Sequence, residues 1–161
     1  MRILALDVGT KTIGVAASDP TGSLATPITV IRRARAKEDI RQVIDLAKRY
    51  EAERIVIGLP ISMSGAPSEQ TRLVEAFVRE LRVATPLPIE TFDERLTTVE
   101  AERRMREAGL SARKRRANID AMAAMVLLQG YLDAGGVARS PAPPPEPIQP
   151  ARGRRRPTSQ R

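Results

Sequence analysis

The chain has 161 residues, a formal net charge of +8, and neither cysteine nor histidine. That length accommodates one ordinary domain with its own core, plus a tail. The missing residue types exclude disulfides, thiolate metal sites, cysteine nucleophiles and Ser-His or Cys-His catalysis, so any catalytic metal must sit on oxygen ligands, which suits Mg²⁺ or Mn²⁺.

The opening Met1-Arg-Ile-Leu-Ala-Leu-Asp7 reads as a buried strand that meets an acid too early for a signal-peptide core. No apolar run is long enough to span a bilayer, and the expectation is a cytoplasmic protein with no membrane partner. A second apolar run over residues 11–18 follows the short Val8-Gly9-Thr10 link, which predicts an antiparallel hairpin. A third strand, Ile28–Ile31, comes after the turn signals Asp19-Pro20 and Gly22. Residues 37–51 change period: Ile40, Val43, Ile44, Leu46 and Ala47 keep one face apolar, as an amphipathic helix requires. Arg54–Leu59 is continuous and β-branched, a strand covered on both faces, and ends at Gly58-Leu59-Pro60.

A linking segment, Ser62–Pro67, leads to a helix over about 68–82 with Leu73, Ala76, Phe77 and Leu81 inward. The strand Ile89–Phe92 runs into Asp93-Glu94. Thr97 and Glu100 stand at capping-box spacing before a charged helix to 108, and a last helix starts near Asn118 and ends at Gly135-Gly136. This order is α/β with an antiparallel start and parallel, right-handed crossovers later. The expected division is a domain over 1–138 and a disordered Pro/Arg-rich tail over 139–161, in which six arginines against Glu146 give a net of +5 and leave +3 for the rest.

Three acidic loci share one logic. Asp7 ends the first strand, Asp93-Glu94 ends the last, and Asp120 lies in the opening turn of the final helix, so all three fall at the edge where α/β sheets bind ligands. Each acid alone has a plainer role: Asp7 in a turn, Asp93 or Glu94 at a solvated strand end, Asp120 at a helix dipole. Together, two such charges at about 4 Å would repel by about 4 kcal/mol at an effective dielectric of 20, and a cation would neutralise them. The densest basic run, Arg113-Lys114-Arg115-Arg116, lies just upstream of Asp120 and suits a nucleic-acid backbone, with ordinary solvated charge as the alternative. Only two Tyr and two Phe are present, so shape and phosphate contacts should outweigh base stacking.

Four segments, Leu6-Asp-Val-Gly-Thr-Lys-Thr-Ile-Gly-Val-Ala16, Ile57-Gly-Leu-Pro60, Asp93-Glu-Arg-Leu-Thr-Thr98 and Asp120-Ala-Met-Ala-Ala124, occur in an order and spacing that resembles the YqgF (RuvX) family of RNase H-like nucleases over residues 2–134. The resemblance implies an RNase H-like fold with a mixed five-stranded sheet flanked by helices. It also implies catalytic, metal-ligating Asp7, Glu94 and Asp120, with Asp93 the alternative at the middle locus because adjacent strand acids point to opposite faces. Phosphodiester hydrolysis with one or two Mg²⁺ or Mn²⁺ ions would follow, in precursor 16S rRNA processing or, alternatively, on Holliday junctions.

Lys11 and Arg95 are candidates to hold the phosphate, with Arg113, Lys114, Arg115 and Arg116 along the backbone. The expected partner is nucleic acid, structured RNA before branched DNA, bound by a monomer or homodimer. Two other classes compete. An actin-like ATPase shares Asp-x-Gly-Thr but needs a second lobe that one domain does not supply; a binding adaptor would leave the acids idle.

Overall fold

The computed structural model describes residues 1–62, 64–94 and 119–136. Five strands, β1 (Ile3–Val8), β2 (Thr12–Ser18), β3 (Ala25–Arg32), β4 (Arg54–Leu59) and β5 (Ile89–Asp93), form one sheet in the order β3-β2-β1-β4-β5. The first three strands pair antiparallel, whereas β4 joins β1, and β5 joins β4, in parallel. Helices α1 (Ala36–Arg49) and α2 (Glu69–Ala84) are the crossovers that make those parallel pairs, and α3 (Ile119–Asp133) packs on β1, β2 and β3.

Alternation along each strand divides the core in two. Leu4, Leu6 and Val8 of β1, Ile13 and Val15 of β2, and Ile55 and Ile57 of β4 pack with Val43 of α1 and Val74, Phe77, Val78 and Leu81 of α2. Ile3, Ala5, Ala16, Val56 and Phe92 turn to the opposite face and pack with Met122, Ala124, Met125, Leu127, Leu128 and Tyr131 of α3. Both faces of β1 and β4 are covered, which is why their sequences read as unbroken apolar runs.

Two details depart from the pattern-based expectation. Strand β3 begins at Ala25, not Ile28, and includes Pro27; it is an edge strand, where a residue without an N–H costs no ladder bond on the open side. On α2 the buried stripe is Thr71, Val74, Phe77, Val78 and Leu81, so Leu73 and Ala76 sit at its margin. Ser68 caps that helix in a reciprocal box with Thr71, whose hydroxyl also donates to the carbonyl of Pro60 and so ties the end of β4 to the start of α2. The expected charged helix before 108, the Asn118 cap and the tail boundary at 138/139 lie outside the described residues.

Candidate active site

Asp7 shares its strand face with Ile3 and Ala5, the face covered by α3. Its cross-strand partner on β2 is Gly14, and on β4 the rung after the Leu6–Ile57 pair is Gly58. The carboxylate is therefore flanked on both neighbouring strands by residues with no side chain. A Cβ on Gly14 would collide with the backbone carbonyl of Asp120, so glycine here lets the first turn of α3 settle directly on the sheet beside Asp7. A Cβ on Gly58 would lie 2.7 Å from Oε1 of Glu94 and 3.0 Å from Leu127. Because β4 stands between β1 and β5, that gap is what lets Glu94 reach across to Asp7.

Asp7 and Glu94 hydrogen-bond to each other, which requires a proton between them. Burial pushes the Asp7 carboxyl above its ordinary range, the Asp120 charge pushes it further, and the bond to Glu94 opposes both. Glu94 is raised to about 7, first by burial, then by the Asp7 charge and hydrogen bond, and then by the Asp93 charge. Of the two adjacent acids, it is Glu94 whose side chain meets Asp7; Glu94 has the strand parity of Glu90 and Phe92, which face α3. Asp120 accepts a hydrogen bond of 2.8 Å from the hydroxyl of Thr12, the first residue of β2.

The structure thus brings Asp7, Glu94 and Asp120 to one sheet edge. Among the described residues no three such side chains close around a cation-sized space. The donors that converge here are all oxygen, the ligand type that a hard divalent ion takes, and their burial and mutual repulsion disfavour the charged forms. Lys11 is exposed on the β1–β2 turn, four residues beyond Asp7. Arg95, Arg113, Lys114, Arg115 and Arg116 lie outside the described residues.

Sequence reasoning missed Gly14 and Thr12 as site-forming residues. The signal for Gly14 was present: a glycine inside a strand whose neighbours are all apolar often marks a close backbone approach.

Residues 1–134 match the model of a family described as "RuvX: Holliday junction resolvase". A relative from Moorella thermoacetica, "Putative pre-16S rRNA nuclease", is 52% identical over 136 residues, covering 84% of this chain and 97% of its own. One of the same name from Desulforamulus reducens is 47% identical over 135 residues, covering 84% and 98%. Among solved structures, T. thermophilus RuvC in complex with Holliday junction substrate superposes with a TM-score of 0.59 at 14% identity, covering 84% of this chain and 96% of that one. Fowlpox virus resolvase with Holliday junction DNA gives 0.51 at 14% identity, covering 83% and 98%. The shared architecture is the RNase H-like fold, as the motifs implied.

Proposed function

Since this chain belongs to the RuvX family of Holliday junction resolvases, nucleases that act on nucleic-acid phosphodiesters, we propose that it is a metal-dependent nuclease whose ligands are Asp7, Glu94 and Asp120. The observation that carries this reading is the Asp7–Glu94 hydrogen bond beside the Asp120 charge. A fold gains nothing from placing three acids together in a half-buried notch unless something positive enters it. When bound, Mg²⁺ or Mn²⁺ supplies Lewis-acid activation of water and neutralises charge on the leaving oxygen.

The chain's own residues do the rest. Asp7 and Glu94 must give up their shared proton to become ligands, and Thr12 keeps the Asp120 carboxylate aimed from the opposite side. Lys11 and Arg95 hold a phosphate of the scissile strand, while the 113–116 run positions its backbone. The reaction forms a bond from a water oxygen to phosphorus and breaks the bond to the leaving ribose or deoxyribose oxygen, which takes up a proton. Asp93 is the substitute ligand only if Glu94 proves dispensable.

The substrate proposed first is precursor 16S rRNA, supported by the names of relatives near 50% identity that align over almost their full length. The family description supports a second reading, a four-way DNA junction, for which a homodimer would present two sites to a symmetric substrate. The location proposed is the cytoplasm; no helix of the described residues is long and apolar enough to cross a membrane. The test is Mg²⁺- or Mn²⁺-dependent cleavage of precursor-rRNA ends, single strands and four-way junctions. Asp7→Asn is expected to lower the rate by about 10³-fold or more, since a catalytic ion contributes several kcal/mol to the transition state. Undiminished cleavage by Asp7→Asn would end the metal-nuclease reading.

A further inference from the structure

The turn between β1 and β2 is held from outside the hairpin at three carbonyls, those of Val8, Gly9 and Lys11. Arg33, the residue after β3, donates from Nη1 to the carbonyl of Gly9 at 3.1 Å and from its backbone N–H to the carbonyl of Lys11 at 2.9 Å. Gln70, in the first turn of α2, donates from Nε2 to the carbonyl of Val8 at 3.2 Å. Arg33 is itself fixed. Its Nε lies 3.2 Å from Oδ2 of Asp39, its guanidinium stands 5.5 Å from the centre of the Phe77 ring, and the other Asp39 oxygen accepts the N–H of Ala34 at 3.0 Å. Asp39 is 1% exposed and Arg33 17%.

A buried ion pair is a poor source of net stability, because desolvation offsets the attraction and apolar residues could fill the same space as well. What the pair does supply is geometry: a planar fork, pinned on one side by a buried carboxylate, presents its other nitrogen to the turn at a fixed angle. Resting on the reading of Lys11 as a phosphate contact, we propose that Arg33 is a positioning residue, which sets the β1–β2 turn and through it holds Lys11 against the substrate backbone.

Arg33 is spent on Asp39 and Gly9 and does not neutralise phosphate itself, so the salt dependence of binding separates positioning from mere structural support. The measurement is the anisotropy of a labelled four-way DNA junction and of a structured RNA, with EDTA present, across a range of salt. Lys11→Ala should flatten the slope of log K against log salt by about 1, the loss of one phosphate contact. Arg33→Gln should flatten it by the same amount, and the double variant by no more than either single one. A folded Arg33→Gln protein with the wild-type slope, or a double variant in which the two losses add, overturns the proposal. So does an unchanged slope in Lys11→Ala, which removes its premise.

If Arg33→Gln fails to fold, Gln70→Leu loosens the same turn without touching the ion pair; a smaller flattening is expected, and none would overturn the clamp. Because binding is read without cleavage, a wild-type protein that binds with these slopes yet hydrolyses nothing would remove the nuclease reading alone.

Discussion

The two faces of the sheet differ most where the acids lie. Toward α1 and α2 the strands present Leu4, Leu6, Ile13, Val15, Ile55 and Ile57, and the helices answer with Val43, Val74, Phe77 and Leu81, a layer of full-sized side chains. Toward α3 the other face also carries large residues, Val56 and Phe92 against Met125, Leu127, Leu128 and Tyr131, but around Asp7 it presents Ala5, Gly14, Ala16 and Gly58, and the first turns of the helix bring Ala121 and Ala124. Large side chains hold a helix about 10 Å from a sheet and bury the most apolar area, about 1.5–3 kcal/mol for each one fully covered. Small ones let backbone meet backbone. Both faces therefore hold the fold together, and only around Asp7 does the second give up burial, so that the first turn of a helix can carry Asp120 to the strand that carries Asp7.

If that division is right, truncation on the two faces should have different readouts. Leu81→Ala, at a fully buried site on the α2 side, is expected to cost about 2–5 kcal/mol of stability. Its kcat/KM per folded molecule should stay within about twofold of wild type, well under the 1.4 kcal/mol that a tenfold change represents. Chemical denaturation and activity at matched folded concentration check both halves. A large fall in activity per folded molecule would mean that the α1/α2 face also sets the site.

Gly14→Ala makes the converse experiment. The added methyl collides with backbone rather than with a movable side chain, so α3 must lift or slide, and Asp120 goes with it. A displacement of about 1 Å at a catalytic group can cost about 10²-fold in rate, and that is the expected loss in kcat at saturating Mg²⁺. Stability should fall by only about 1–3 kcal/mol, the usual range for overpacking. Wild-type kcat in Gly14→Ala would show that close approach of α3 is not what places Asp120.

The same contrast explains what could be read from the residues. Helix periodicity in Ile40, Val43 and Ala47 and the β-branched run Arg54–Leu59 come from burial, which leaves a pattern in composition. The site was legible as acids at element ends, a consequence of α/β topology. Which of Asp93 and Glu94 meets Asp7 was not, because it depends on which face of β5 is turned to α3, and Ile89-Glu90-Thr91-Phe92 offers a large apolar residue to each face. Asp39 was likewise hidden. On the helix period it falls among the core residues, and only the partner six positions back, in the link after β3, makes its burial tolerable. Thr12 and Asp120 meet across 108 residues, a pairing that no local pattern records.

The smallest expected effect bears on the cost of the second face. In metal-free protein Glu94 is raised from 4.5 to about 7, and Asp7 is raised from 3.8, so between those limits the folded state binds protons that the unfolded state has released. Stability then falls as pH rises from about 4.5 through 7, the reverse of the usual carboxylate behaviour. Asp19, lowered to about 2 by hydrogen bonds from its own loop, has the opposite sign, but its contribution is lost only as pH drops below 3.8 and leaves the window clear. The melting temperature without metal should decline from pH 5 to pH 8 and level off above.

Asp7→Asn should flatten that decline and melt at or above the wild-type temperature at pH 8, because it removes both the hydrogen-bonded partner and the charge that raise Glu94. Added Mg²⁺ should stabilise wild type more at pH 8 than at pH 6, since the ion competes with the shared proton and binds only the folded site. A metal-free melting temperature that climbs over this range, or an Asp7→Asn protein that melts well below wild type, would mean that the paired acids support the fold instead of straining it. The small-residue face would then be a structural seam rather than a site kept open at a cost in stability.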